Sequence, residues 1–191
     1  MNSTVSVKKK SLNPSDWELA TLNVIAHQGV NAVAIEPLAR ELGVTKGSFY
    51  WHFSNRMDLI DSALKRWRND DRAVIEEKVL VMDDPKKRLQ AWFMLSAEPS
   101  QSHLIYATLL ADRQHKLVAK VLKEITIERL NYLQQSYREI GYSDAQAKQQ
   151  ALLAYSVYVG YLHMAKTLHG NLKDTQTVED YALYVADQLI A

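Results

Sequence analysis

The sequence predicts an all-α fold of about nine helices, and three observations carry that expectation. Apolar residues recur at helical spacing along most of the chain. Helix start and stop signals punctuate it repeatedly, and no run alternates apolar with polar residues as a half-buried strand would. The 191 residues are 47% apolar, enough for a core, so wholesale disorder is excluded. Six glycines and four prolines exclude collagen-like and low-complexity classes.

The first helix is set by Trp17, Ala20, Thr21, Val24 and Ile25, which share one helical face. Asn13-Pro14 offers an N-cap with proline at the first helical position, and Ser15-x-x-Glu18 offers a capping box one turn in. Gly29 is the natural stop. A short helix follows from about Ala34 to Leu42, with Pro37 in its first turn and Gly43 behind it. Thr45 can cap a third helix running to about Phe53. Ser54 or Asn55 can cap a fourth, with Asp58 placed to complement the dipole and Leu59, Ile60, Ala63, Leu64 and Trp67 as its apolar stripe.

Arg68 to Asp84 is charge-rich at both ends and reads as the junction between two parts of the chain. Asp84-Pro85 restarts a helix, Pro99 breaks it, and Asp112 is placed to cap a long helix stopped by Gly141. Ser143-x-x-Gln146 is a capping box for the next helix, which runs to about Leu168 with Gly170-Asn171 behind it. Thr175 or Thr177 opens the last helix, to Ile190.

Charge says little globally and more locally. The net charge is +1, but no acid occurs from Leu42 through Met57, a window holding Lys46, His52 and Arg56. Local charge decides whether a polyanion can approach. The same window fits helix-turn-helix logic. Ala39 is small where two helices must meet, Gly43 suits a turn with positive φ, and Leu38, Leu42, Val44, Phe49 and Phe53 can close a small core. A helix held this way stands clear of its supports and fits a major groove about 12 Å wide. Thr45 sits at its N-terminus, where free N–H groups favour phosphate. Lys46 and Ser48 can reach base edges, Gly47 leaves room for backbone approach, and Tyr50, Trp51 and His52 have polar tips for phosphate, sugar or base. Arg56 can clamp a phosphate from the following turn.

Residues 14–67, above all the run from Leu38 to Phe53 with its Lys-Gly-Ser-Phe-Tyr-Trp-His-Phe core, resemble the DNA-binding domain of the TetR (tetracycline-repressor) family of transcriptional regulators. The resemblance implies three small N-terminal helices with the third as reader, and a larger helical ligand-binding domain. It also implies a homodimer formed through the last two helices. It assigns Thr45, Lys46, Gly47, Ser48 and Tyr50 to the operator, and His52 and Arg56 to phosphates. One departure stands out. The family often opens its second helix with a threonine or serine that caps it and touches phosphate; Val33 and Ala34 stand there here, with Asn31 as a nearby substitute.

The expected organisation is therefore a flexible basic tail over 1–12, a helix-turn-helix domain over 13–67 with its fourth helix as linker to about 82, and a helical ligand-binding and dimerisation domain over 83–191. In the tail, Lys8, Lys9 and Lys10 read first as solvated and second as an arm for DNA phosphates. In the C-terminal part, Ala151–Ala165 is apolar nearly all round, so more than one face is buried. With Ala151, Ala154, Ser156 and Gly160 it can form a close helix seam with the last helix, giving a two-fold dimer that suits a palindromic operator. Trp92, Met94, His103, Tyr106, Tyr155, Tyr158, His163 and Met164 mix apolar bulk with polar tips and are the candidate lining of a small-molecule cavity. Each also reads as plain core.

Catalysis has little support. Zero cysteines remove disulfides, thiolate chemistry and cysteine-type zinc sites. The six histidines show no metal spacing, and no Gly-rich phosphate loop or nucleophile elbow occurs. Neither a metal nor a cofactor is expected. The longest apolar stretch, about 15 residues, falls short of the ~20 a membrane span needs. No targeting segment is read, so the expectation is a cytoplasmic ligand sensor and repressor. The alternatives are a helical-bundle enzyme or an interaction module that does not bind DNA.

Overall fold

The computed structural model describes residues 12–168 and 175–190. Nine α-helices lie among the described residues, and no strand. They are α1 (Pro14–Gln28), α2 (Ile35–Glu41), α3 (Lys46–Phe49), α4 (Arg56–Ile75), α5 (Pro85–Ala97), α6 (Gln101–Ala111), α7 (Lys116–Glu139), α8 (Asp144–Thr167) and α9 (Thr175–Leu189). A 3₁₀ turn, Val30–Ala32, follows α1, and a π turn, Glu76–Leu80, continues α4. Lys8, Lys9 and Lys10, and the Gly170-Asn171 stop, lie outside the described residues.

The caps explain where the helices begin. Asn13 accepts from the Asp16 N–H at 3.1 Å while Asp16 accepts from the Asn13 N–H at 2.8 Å, a reciprocal capping box. The box expected at Ser15 and Glu18 does not form. Glu18 instead accepts from Ser62 Oγ at 2.6 Å and pairs with Arg66, fastening α1 to α4. Asn55 caps α4 by accepting from the Met57 and Asp58 N–H groups. Asp84 caps α5, and Ser143 with Gln146 forms the predicted box on α8. Asp112 does not cap α7, whose N-cap is His115.

The turn between α2 and α3 is closed by backbone bonds. The Gly43 N–H donates to Arg40 O at 3.2 Å and the Val44 N–H to Ala39 O at 2.9 Å, the paired bonds of a Schellman motif. The motif needs a left-handed residue, and Gly43 supplies it at φ +69°. Trp17, Ile25, Leu38, Phe49, Leu59, Ile60 and Leu64 are buried beneath this turn, with the Trp17 and Phe49 rings edge-on at 5.4 Å. That core fixes α3 on the surface of the N-terminal part.

The charged stretch expected as a junction is helical, and α4 runs through it unbroken to Ile75. Two of its arginines are partnered on α7: Arg68 pairs with Glu124 and Glu128, and Arg72 with Glu128. In the C-terminal part α7 packs on α8 and α5 on α9, while α6 lies between α1 and α8. No helix among the described residues is long and apolar enough to cross a membrane.

Candidate nucleic-acid interface and ligand cavity

The short helix α3 presents most of the predicted reading residues outward. Thr45 is its N-cap in extended conformation, exposed and with no side-chain cap bond, so its hydroxyl is uncommitted. Lys46 is exposed and pairs with Glu36 of α2 at 2.8 Å. The pair lowers the Glu36 carboxyl and raises the Lys46 ammonium, first through the hydrogen bond and then through charge. Both partners face water, so a phosphate can compete for the ammonium. A Cβ at Gly47 would meet only Thr45 Oγ1, at 3.6 Å, which leaves open approach to the backbone. Tyr50 is 56% and Trp51 87% exposed, unusual values for large aromatics. Ser48 and His52 are half-buried. Phe49 and Phe53 are buried and close the core from below.

Two expectations change here. The third helix does not reach Phe53. It ends at Phe49 and passes into a tighter turn in which the His52 N–H donates to Phe49 O at 2.9 Å. The tightening brings both Phe49 and Phe53 into the core. Arg56, expected to hold a phosphate, turns its guanidinium inward. Nε donates to Val33 O and Nη2 to Val30 O, each at 2.6 Å. It ties the start of α4 to the 3₁₀ turn. At the opening of α2, Ala34 is an N-cap with no side-chain bond, and Asn31 is exposed.

Val30 is a meeting point. Its carbonyl accepts from Arg56, and its N–H donates to Asp112 Oδ2 at 2.8 Å. Asp112 ends α6, and Thr108 one turn earlier donates to Ala26 O at 3.0 Å. Gly29 leaves room for this contact, since a Cβ there would meet Asp112 Oδ2 at 2.7 Å. Its φ of +86° also requires glycine. Helices α4 and α6 thus converge on one residue, Val30, in the N-terminal part.

The other ends of those helices wall a cavity of about 310 Å³. Its apolar lining includes Leu22, Trp67, Trp92 and Ile105, and its polar groups include Asp71, Ser102, His103, Arg129 and Tyr158. A chain of hydrogen bonds crosses the wall. Trp67 Nε1 donates to Ser102 Oγ at 2.8 Å, and Ser102 Oγ donates to Asp71 Oδ1 at 2.7 Å. Arg129 donates to Asp71 Oδ2 at 2.7 Å and to the Tyr158 hydroxyl at 2.9 Å. The Arg129 guanidinium lies over the Tyr106 and Tyr158 rings at 4.8 and 5.0 Å. Burial works against its charge, but Tyr158 and Asp71 outweigh burial and hold the guanidinium more firmly protonated than usual. Burial pushes the Tyr158 phenol up to about 12. Burial, with a smaller contribution from Arg129, pulls His103 below its ordinary value.

The predicted lining residues divide. Trp92, His103 and Tyr158 line this cavity. Tyr106 and Tyr155 are buried behind it, with their hydroxyls hydrogen-bonded to each other. Met94 faces a separate cleft beside α9. His163 and Met164 are exposed on α8, away from the cavity. Sequence reasoning missed Asp71, Ser102 and Arg129. The signal was available for two of them. Arg129 falls between Ile125 and Leu133 on the buried face of α7, and Asp71 one turn after Trp67 on that of α4. A charged residue at a core position marks a buried polar site. No group of three metal-ligating side chains occurs among the described residues.

Residues 19–63 match the family of bacterial regulatory proteins described as the tetR family. The repressor KstR2 of Mycobacterium tuberculosis is 26% identical over 97 residues, covering 51% of this chain and 48% of KstR2. The chain thus spans about half the length of that curated relative. A transcriptional regulator from Rhodococcus sp. Rha1 shares the fold with a TM-score of 0.79 at 17% identity, covering 94% of this chain and 96% of the other. The regulator FadR of Bacillus subtilis, solved in complex with stearoyl-CoA, gives a TM-score of 0.70 at 19% identity over 94% and 98%. The chain thus carries an N-terminal domain of the tetR family of bacterial regulatory proteins, and its fold is that of solved TetR-family regulators.

Proposed function

We propose that the chain is a homodimeric repressor that holds a palindromic operator with two copies of α3 and lets go when a small molecule fills the central cavity. The observation that carries the reading is the outward set of Thr45, Lys46, Tyr50 and Trp51 above a core closed by Phe49 and Phe53. These residue types suit phosphate, sugar and base edges together. Ser48 and His52 contribute from the sides, and Gly47 lets the backbone approach. Arg56 acts as a positioning residue that holds α4 against the 3₁₀ turn. The protein acts where its DNA is, in the cytoplasm, and performs no catalysis.

The dimer reading is supported by an uncovered apolar stripe. Leu152, Leu153, Met164 and Leu168 of α8 and its following turn are exposed, as are Leu183 and Tyr184 of α9. Gly160 is exposed on α8 as well, and a Cβ there would meet nothing within 4 Å. Such a surface on two adjacent helices suits a self-complementary two-fold seam. His163 and Met164 belong to this seam in the proposal.

A ligand shifts the protein between states only through its differential affinity for them. Here the cavity walls include Asp71 on α4 and Ser102 on α6, and both helices end at Val30. A ligand that repositions either wall moves the reading domains relative to each other. The test is selection of bound duplexes from a random DNA pool. The expected result is a palindrome with half-sites about 34–36 Å apart, bound with steep salt dependence. Absence of any sequence-selective binding overturns the reading.

A further inference from the structure

We propose that the molecule taken by the central cavity is a compact carboxylate, an aryl or short alkyl group bearing a single acid function, which binds by replacing Asp71 on Arg129. The proposed repressor reading supplies the consequence, release of DNA; the binding itself stands without it.

An arginine has five N–H donors in a planar fork. Two of those of Arg129 are engaged, one by Asp71 Oδ2 and one by the Tyr158 hydroxyl. Asp71 therefore holds Arg129 by one prong, and its other oxygen is taken by Ser102. A fork–fork pair is the stronger arrangement, and the N–H edges of Arg129 can offer it to a second carboxylate. The ring faces of Tyr106 and Tyr158 cover the guanidinium plane and leave its edges for hydrogen bonding.

A cation fits the same groups poorly. Each Asp71 oxygen already accepts a bond, and the Arg129 guanidinium beside them repels a second cation unless it is displaced. Arg129 is 6% exposed and lies against two rings, so its charge has nowhere to go. Asp71 is 14% exposed and neighbours the exposed Asp70, so a displaced Asp71 can turn toward water. Of the two partners, only the carboxylate can leave.

Size and walls set the rest of the ligand. A volume of about 310 Å³ lies at the small end of ligand sites. Trp67, Trp92, Leu22 and Ile105 suit an apolar body rather than a sugar or nucleotide. The Arg129–Asp71 pair also lines a second cavity of about 110 Å³, which gives the exchanged side chains room. The exchange removes the buried tie that joins α7 to α4 directly and to α6 through Ser102.

The experiment is calorimetry on the full chain without DNA. The probes are benzoate, phenylacetate and hexanoate, each beside its primary amide and its amine. The expected result is that a carboxylate binds about tenfold or more tighter than its amide, with the amine weaker still. Asp71→Asn removes the competing anion, so carboxylate affinity should rise about tenfold or more while amide affinity stays within a few-fold. No carboxylate binding, equal binding of the amide, tighter binding of the amine, or a loss of carboxylate affinity in Asp71→Asn overturns the inference. The wild-type contrast decides the matter even if the variant folds poorly. A parallel anisotropy titration with a pool-selected duplex separates the two readings. Carboxylate binding without DNA binding leaves this inference standing and removes the repressor; DNA binding without carboxylate binding does the reverse.

Discussion

Replacing Arg56 by methionine keeps most of the apolar stem and removes the guanidinium. Two bonds are lost, to Val33 O and Val30 O, each at 2.6 Å. A hydrogen bond from a charged donor contributes about 1.5–3 kcal/mol net, and water can recover part of that at a half-buried site. The expected loss of stability is therefore ~2–4 kcal/mol. It should appear as a lower urea midpoint by circular dichroism at fixed protein concentration. Operator binding should weaken as the turn at Val30 loosens, but the dependence of log K on log salt should keep its slope. A phosphate contact would behave differently, since each one contributes about 0.9 to that slope. A slope flattened by about one, with the urea midpoint unchanged, would show that Arg56 faces DNA and that its inward bonds carry no weight.

Other outcomes follow from the same structure. Asp71→Ala strands the buried Arg129 and should cost about 3–5 kcal/mol, whereas Arg129→Met with Asp71→Ala should cost less than the two changes added. An additive urea cycle would contradict the buried pair. Leu183→Asp puts a charge on a residue that is 53% exposed in the single chain, and sedimentation should show the proposed dimer for the wild type and a monomer for the variant. An unchanged oligomer would place the seam elsewhere. His103 is held below its ordinary value of 6.5 by burial, so the unfolded chain takes up the proton first. Its contribution is complete above 6.5 and is lost as pH falls below that value. His103→Gln should therefore flatten the acid-side fall in melting temperature, and an equally steep fall would show that His103 plays no part in it.

Much of the fold was legible because helix ends are written locally. Asn13-Pro14, Asp84-Pro85 and Ser143-x-x-Gln146 start helices where their hydrogen-bonding chemistry demands it, and Gly43 and Gly141 stop them. The Ser15 to Glu18 box was misread because the same side chains had better partners on α4, which no local rule records. The length of α3 was overestimated because tertiary packing of Phe49 and Phe53 outweighed helical continuity. The outward face of α3 was legible from residue type. The direction of Arg56 was not, since the carbonyls that claim it are 23 and 26 residues earlier. For the cavity, aromatic bulk pointed to Trp92, His103 and Tyr158 but equally to Met94, His163 and Met164. What separates them is which helix face meets which neighbour, and an α8 that is apolar nearly all round leaves that open.

The central claim is that the outer face of α3 reads DNA, and affinity for the pool-selected duplex, measured for variants at Trp51 and Lys46, tests it most directly. Trp51 is 87% exposed, so Trp51→Ala should leave the melting temperature unchanged. Lys46→Ala removes only an exposed pair with Glu36. The expected result is a loss of about 1–3 kcal/mol in affinity for Lys46→Ala, with relaxed preference at the bases it contacts. A comparable loss of affinity is expected for Trp51→Ala. Full affinity and unchanged base preference in both variants, with folding intact, would contradict the claim.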